Sequence, residues 1–145
     1  MRLGINGRLD TLQAAVLLAK LSIFEEEIAL RRLVAKRYTQ RLAGLAITPK
    51  QLCGTKSVWA QYTIKLPHRD AVATSLRKEG IPTQIYYPQP MHLQPAYAKN
   101  GDGPGSLPVS EKLCSEVLAL PMNPYLDEKT IDLICDGIER ALRTI

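Results

Sequence analysis

Residues 57–87 carry the clearest structural pattern of this chain, SVWAQYTIKLPHRDAVATSLRKEGIPTQIYY. Residues 57–66 alternate between polar and apolar side chains and are rich in β-branched and aromatic types, which predicts a strand. Residues 69–79 carry apolar side chains at helical spacing and precede Gly80, which predicts a short amphipathic helix with a glycine stop. Residues 83–87 lie between two prolines and predict a second strand. The segment therefore predicts a strand–helix–strand unit.

Two helices are predicted ahead of this unit. Asp10 is a good N-cap for the first, whose residues 12–21 are apolar almost all round. We expect such a helix to face a second subunit or a partner domain. The second is predicted over residues 24–43 with Gly44 as its stop. Its predicted inner face consists of Ile28, Val34, Ala35, Tyr38 and Leu42.

The remainder of the chain begins with a predicted loop over residues 88–108, which hold five prolines and three glycines. Loops of this length in compact domains are often functional. Ser110 is predicted to cap a helix that runs to Val117, residues 118–122 predict a third strand, and Asp127 begins the last helix. Its predicted inner positions are Ile131, Ile134, Cys135, Ile138 and Leu142.

This order of elements predicts an α/β (α+β) two-layer sandwich, with three or more strands packed by helices and preceded by long N-terminal helices. A length of 145 residues fits a single domain. Within it we expect residues 1–44 to form a helical segment between domains or subunits, and residues 45–145 to form the sandwich.

Composition excludes several classes of protein. No apolar run reaches the roughly 18 residues of a membrane span, and no secretory signal is visible, so we expect a cytoplasmic chain. Three cysteines without a C-x-x-C pair argue against zinc and disulfides, and a reactive thiol stays a minor alternative. Residues 1–80 hold 14 Lys/Arg against 6 Asp/Glu. No aromatic or glycine-rich RNA motif accompanies this charge, so we expect no nucleic acid.

Motifs for self-contained catalysis are absent from the sequence. It has no G-x-S-x-G, H-E-x-x-H or P-loop pattern. Pro104 within residues 101–105 removes an amide donor that a phosphate loop would need. His92 is a candidate general base, although a single loop histidine is more often polar surface. The residues alone therefore predict neither a catalytic group nor a metal site.

Several short motifs together carry a family resemblance, which covers essentially the whole chain in matching order. They are Gly4-Ile5-Asn6-Gly7-Arg8-Leu9-Asp10 with Gln13-Ala14-Ala15, then Ser57-Val58-Trp59, Ile81-Pro82-Thr83, Tyr86-Tyr87-Pro88 with Pro90 and His92, and Leu120-Pro121-Met122. This pattern resembles the carboxy-terminal part of the DegT/DnrJ/EryC1/StrS sugar aminotransferases, which depend on pyridoxal phosphate (PLP).

The resemblance implies the small C-terminal domain of a PLP-dependent fold type I transferase that works as a homodimer. It implies cofactor contacts for Asn6 and Arg8 across the dimer. An amide N–H suits a phosphate oxygen, and a guanidinium suits a phosphate or a carboxylate. Two alternatives to these cofactor contacts stay open: a structural role for Asn6 in an N-terminal turn, and an interface salt bridge for Arg8.

The resemblance further implies that Tyr86, Tyr87 and His92 line the entrance for a nucleotide-linked sugar. Because Tyr86 and Tyr87 are neighbours on a predicted strand, we expect one to face the pocket and the other to lie in the core. We expect Trp59 to belong to the core rather than to bind ligand.

The chain lacks the lysine that forms a Schiff base with PLP in this family, because none of its nine lysines stands in that context. We therefore expect a segment of an aminotransferase that acts on a keto-sugar nucleotide with an amino-acid donor, inactive alone and without bound PLP. We expect it to dimerise through the N-terminal apolar helix. A free-standing, non-catalytic module that self-associates or docks on another protein is the alternative.

Overall fold

The structure, a computed structural model, describes residues 7–145, which begin with the helices α1 (Thr11–Leu21) and α2 (Phe24–Arg41). The predicted cap of α1 is confirmed, since Asp10 Oδ1 accepts a hydrogen bond from the Gln13 N–H at 2.8 Å. The predicted stop after α2 is also confirmed, because Gly44 has a φ of 80°, which favours glycine. The predicted inner face of α2 is buried: Ile28, Val34, Ala35, Tyr38 and Leu42.

The sheet of the described residues has two strands, β1 (Tyr62–Lys65) and β2 (Val117–Leu120). They pair antiparallel, with Tyr62 opposite Leu120 and Lys65 opposite Val117. Isolated bridges extend the sheet at both edges, where Ile47 pairs with Lys65 and Gln84 pairs with Ala119. The prediction of three or more strands is therefore wrong for residues 7–145.

Local backbone geometry explains the shorter strands. Trp59 has a φ of 49°, which ends extended structure ahead of Tyr62, so the strand predicted over residues 57–66 shrinks to β1. The strand predicted over residues 83–87 is reduced to the bridge at Gln84. Pro82 and Pro88 flank it and have no N–H to donate to a ladder.

Helices α2, α3 (Arg69–Lys78) and α5 (Glu128–Thr144) cover one face of this sheet. Tyr62 and Ile64 are buried, whereas the alternate residues Thr63 and Lys65 are partly exposed, so only one face of β1 lies in the core. The resulting helix and sheet layers agree with the predicted α/β sandwich. Four of the five inner positions predicted for α5 are buried and Leu142 is partly buried; the four are Ile131, Ile134, Cys135 and Ile138.

The helix α4 (Pro108–Glu116) leads directly into β2. The prediction that Ser110 caps this helix is wrong, because Leu107 occupies the N-cap and Pro108 the first helical position. Proline suits that position, where its missing N–H costs no helical hydrogen bond. The predicted cap of α5 is confirmed, since Asp127 Oδ1 accepts from the Thr130 N–H at 2.7 Å.

No helix among residues 7–145 combines the length and apolar character needed to cross a bilayer.

Candidate functional site

Both tyrosines of the predicted substrate entrance lie on the surface, just after the bridge at Gln84. Tyr86 is 51% exposed and Tyr87 is 72% exposed. The expectation that one of them lies in the core is wrong. Because the chain leaves the sheet after Gln84, the alternation of a strand does not apply to this pair.

Tyr86 lines a surface cavity of about 220 Å³ at the edge of the sheet. Gln61, Thr83 and Gln84 contribute polar groups to the same wall. Tyr86 and Tyr87 also share a smaller neighbouring cavity of about 40 Å³. Phenol, amide and hydroxyl groups are neutral donors and acceptors, which suits a ligand rich in hydroxyls.

Trp59 packs against the core beside this region, as expected. Its side chain is partly buried, and its ring centroid lies 5.6 Å from that of Tyr62. It does not line the cavity that contains Tyr86.

His92 lies in a short 3₁₀ turn, Met91–Leu93, within the proline-rich loop. Its side chain is only 9% exposed, so the reading of His92 as polar surface is wrong. Its Nε2 lies 3.1 Å from Glu111 Oε1 on α4. Gly101 packs against the backbone of His92, because a Cβ added to Gly101 would lie 2.9 Å from the His92 carbonyl oxygen.

Glu111, which none of the sequence motifs includes, anchors this loop. Its carboxylate accepts from the Gly105 N–H at 2.9 and 3.0 Å, from the Leu107 N–H at 3.3 Å, and from His92. The Gly105 hydrogen bond, followed by that of His92, holds the pKa of Glu111 below its ordinary value. The sequence signal for this role is an acidic residue in the first turn of a helix that follows a glycine-rich loop, where its carboxylate can accept from backbone N–H groups.

Of the two predicted cofactor contacts, only Arg8 can be placed, because Asn6 lies outside the described residues. Arg8 is exposed, two positions before the Asp10 cap of α1. It forms no ion pair within residues 7–145.

The described residues do not fit a complete PLP site. All nine lysines lie within them; eight are exposed, and Lys65 is partly exposed in a groove open to solvent. A Schiff-base lysine works in an enclosed pocket, with an acid at the pyridine nitrogen. No lysine of residues 7–145 has that setting. Nor does this part of the chain hold a cluster of three or more potential metal ligands.

The apolar helix α1 forms the other distinctive surface. None of its residues is buried. Its side chains and their neighbours line an apolar groove of about 580 Å³ and a second of about 420 Å³. The large exposed apolar residues here are Leu9, Leu12, Val16, Leu17, Leu18, Leu21, Ile23 and Phe24. Contiguous apolar surface of this kind is typical of interaction sites.

Comparison with known proteins agrees with the motifs. A UDP-2-acetamido-2-deoxy-3-oxo-D-glucuronate aminotransferase from Pseudomonas aeruginosa is 49% identical over 95% of this chain and 38% of its own length. A DegT DnrJ EryC1 StrS aminotransferase from Brucella abortus superimposes with a TM-score of 0.88 at 48% identity, over 97% of this chain and 38% of that one.

DesV from S. venezuelae, solved in complex with a ketimine intermediate, gives a TM-score of 0.90 at 37% identity, over 95% of this chain and 38% of its own. The chain thus spans about 38% of the length of these relatives. The DegT/DnrJ/EryC1/StrS aminotransferase family profile matches residues 1–139. The chain therefore belongs to the DegT/DnrJ/EryC1/StrS aminotransferase family.

Proposed function

We propose that this chain is the carboxy-terminal, small-domain part of a PLP-dependent aminotransferase, and that it supplies substrate and subunit contacts to the complete enzyme. The observation that carries this proposal is the combination of family membership with the absence of an enclosed lysine in residues 7–145. The 38% coverage of the relatives supports a catalytic lysine elsewhere in the enzyme.

The substrate class in this proposal is a keto-sugar nucleotide, with an amino acid such as glutamate as donor. The 49% identical relative is named for a UDP-linked 3-oxo sugar acid. The cavity at Tyr86 supports this class, because its side chains offer hydrogen bonds to hydroxyls beside an aromatic ring that can stack on a sugar.

Five residues carry the proposed contacts. Asn6 and Arg8 reach the cofactor phosphate or the donor carboxylate of the neighbouring subunit, and Arg8 has the exposure that this requires. Tyr86, Tyr87 and His92 contact the sugar nucleotide. PLP, when bound to the complete enzyme, supplies an electron sink for amino transfer.

Helix α1 is the proposed dimer contact in this enzyme. Its apolar side chains are exposed in the single chain and would be covered by a second subunit. Arg8 precedes α1 by only three residues, so dimerisation through α1 would bring the cationic side chain close to the partner.

A hybrid enzyme tests the proposal. This chain replaces the matching segment of the P. aeruginosa relative, and amino transfer from glutamate to the UDP-linked 3-oxo sugar is measured. We expect activity from the hybrid and none from this chain alone with PLP, which should also give no aldimine absorbance. Tyr86→Ala should raise KM, whereas Tyr125→Phe, at an exposed tyrosine outside the cavity, should not.

An inactive hybrid that still binds PLP and folds would contradict the proposed contribution of this chain. Turnover by this chain alone would contradict the proposal that the catalytic lysine lies elsewhere in the enzyme.

A second candidate is a free-standing, non-catalytic module that self-associates, which the exposed apolar face of α1 favours. Sedimentation at several concentrations distinguishes the two. A tight, well-defined oligomer of the chain alone supports the module, and weak or indefinite association supports the enzyme segment.

A further inference from the structure

We propose that Glu111 is a positioning residue that holds neutral His92 in its Nε2–H tautomer, so that Nδ1 is left to accept a hydrogen bond from a hydroxyl of the substrate. This inference rests on the proposed function, in which His92 contacts a sugar nucleotide. It adds two details to that contact: the ring nitrogen that makes it, Nδ1, and the substrate group that this nitrogen recognises, a hydroxyl.

The first step concerns the proton on Nε2. Glu111 Oε1 lies 3.1 Å from His92 Nε2, and both oxygens of the carboxylate also accept from loop N–H groups. These donors keep the pKa of Glu111 low, so the carboxylate is ionised at neutral pH. An ionised carboxylate only accepts hydrogen bonds, so the proton must lie on Nε2.

The second step concerns the other ring nitrogen. Within residues 7–145, His92 Nδ1 makes no hydrogen bond. The one buried side-chain nitrogen or oxygen there without a well-aligned hydrogen bond is Arg69 Nε, which lies 2.7 Å from Asp70 Oδ1 in an ion pair. Nδ1 is therefore not one of the sealed, unpaired polar atoms of the described residues, and the His92 side chain is 9% exposed.

The third step concerns the backbone that carries His92. The 3₁₀ turn Met91–Leu93 fixes the backbone of His92, and Gly101 lies so close that a Cβ there would approach the His92 Cβ to 3.1 Å. Glu111 joins this turn to residues 105–107 and to α4. One carboxylate thereby orders both the histidine and the loop around it.

The substrate chemistry follows from the tautomer. In neutral His92 with the proton on Nε2, Nδ1 carries a lone pair and no proton. It accepts from a sugar or ribose hydroxyl, and it has nothing to donate to a diphosphate oxygen. We therefore assign the neutral form of His92 to recognition of a substrate hydroxyl.

The test is a measurement of imidazole tautomers by long-range ¹H–¹⁵N correlation on the full chain, at a pH where the histidines are neutral. The chain has two histidines, so His92→Gln assigns the signals. We expect nearly pure Nε2–H for His92, against the tautomer mixture of the urea-unfolded chain. Nδ1–H, or the same mixture as in the unfolded chain, would overturn the proposal.

Variants of two glutamates on α4 separate the positioning of His92 by Glu111 from the general effect of removing a charge from this helix. Glu111→Met removes the acceptor and should return His92 toward the unfolded mixture, whereas Glu111→Asp keeps the charge and should restore the Nε2–H preference. Glu116→Met is the matched control, because Glu116 contacts Lys112 at 3.8 Å and not His92. An unchanged tautomer in Glu111→Met would refute the positioning role, and the wild-type spectrum decides the tautomer even if that variant unfolds.

A kinetic measurement in the hybrid enzyme tests the hydroxyl assignment separately. Glu111→Met should raise KM for the sugar nucleotide about five- to tenfold, the effect of one lost hydrogen bond, with much less effect on kcat. A fall in kcat at unchanged KM would contradict the assignment. An inactive parent hybrid would count against the proposed function and leave the tautomer result standing.

Discussion

Arg37 on α2 binds Asp132 on α5 through two parallel hydrogen bonds, Nη2 to Oδ2 at 2.7 Å and Nε to Oδ1 at 3.2 Å. Arg41 adds a third, from its Nε to Asp132 Oδ1 at 3.1 Å. These late basic residues of α2 therefore join it to α5. This contact fastens the N-terminal helical segment to the sandwich.

Stability should therefore depend on the ionisation of Asp132. Hydrogen bonding from Arg37 holds the pKa of Asp132 below its ordinary value of 3.8. A carboxylate with a lower pKa in the folded state stabilises that state above the unfolded pKa, and the contribution is lost as pH falls through the folded pKa. Asp132→Asn should lower Tm at neutral pH, and this difference should shrink below about pH 4.

Asp102→Asn is the control for this pH profile, because Asp102 is exposed in the loop and forms no ion pair within the described residues. Thermal unfolding followed by circular dichroism across the acid range measures all three proteins. A Tm difference for Asp132→Asn that stays constant through the acid range would contradict the coupling.

Tyr38 should contribute to stability through both its ring and its hydroxyl. It is fully buried, stacks on Tyr62 with ring centroids 5.0 Å apart, and donates to the Pro121 carbonyl at 2.9 Å. Tyr38→Phe leaves that carbonyl unpaired and should cost about 1–2 kcal/mol of unfolding free energy. Tyr38→Ala should cost about 3–5 kcal/mol. Urea unfolding measures both, and Tyr87→Phe, at an exposed ring, should change little.

Arg69 should act as a structural cation rather than as a ligand-binding group. It is 6% exposed and donates to the Val117 carbonyl at 2.8 Å and to the Cys114 carbonyl at 2.9 Å, at the junction of α4 and β2. Arg69→Met should cost about 3–6 kcal/mol of unfolding free energy, since it removes two hydrogen bonds from a charged group that contribute about 1.5–3 kcal/mol each.

Arg69→Lys should recover only part of that loss, because an ammonium cannot span both carbonyls as the guanidinium fork does. Arg77→Met on the exposed side of α3 is the matched control. Equal urea midpoints for Arg69→Met and Arg77→Met would show that the buried fork contributes nothing.

The three cysteines should react with a thiol reagent in the order of their exposure. Cys53 is exposed, Cys114 is partly buried and Cys135 is buried. Burial raises the pKa of Cys135 to about 12, so its thiolate is scarce as well as inaccessible. Ellman's reagent should give one fast phase, absent in Cys53→Ser, and should reach Cys135 only on unfolding. Fast modification of all three thiols in the folded chain would contradict this order.

The parts of the fold that sequence predicted are those fixed by near neighbours. The caps at Asp10 and Asp127 each bind an N–H three residues away, and the apolar stripe of α2 follows from helical spacing alone. The prediction of a strand over residues 83–87 was wrong because a sequence with strand propensity still needs a neighbouring strand to pair with. Only Gln84 finds one, on β2.

The candidate site was predicted unevenly for the same reason. The motif resemblance identified Tyr86 and His92 as candidate site residues, but it did not predict that Tyr86 is exposed and His92 largely buried. Glu111 is 19 residues from His92, and Asp132 is 95 residues from Arg37. Hydrogen bonds across such separations depend on how the elements pack, which no local spacing encodes.

Association through α1 should be lost when a charge enters its apolar face. Leu17 lines both apolar grooves and is 53% exposed. Burying a leucine contributes roughly 2 kcal/mol, and a twofold interface uses the same residue twice. Leu17→Asp should therefore weaken a dimer roughly 1,000-fold. Sedimentation over a range of concentrations measures it, in this chain and in the hybrid enzyme.

Thr11→Asp is the matched control for this experiment, because it places the same charge at the exposed first turn of α1, where an acid favours the helix. Retained helical circular dichroism in both variants separates loss of association from loss of α1. If the hybrid dimerises equally well with Asp at position 17, a surface other than α1 joins the subunits. The exposed leucines would then have to be covered within one subunit of the complete enzyme.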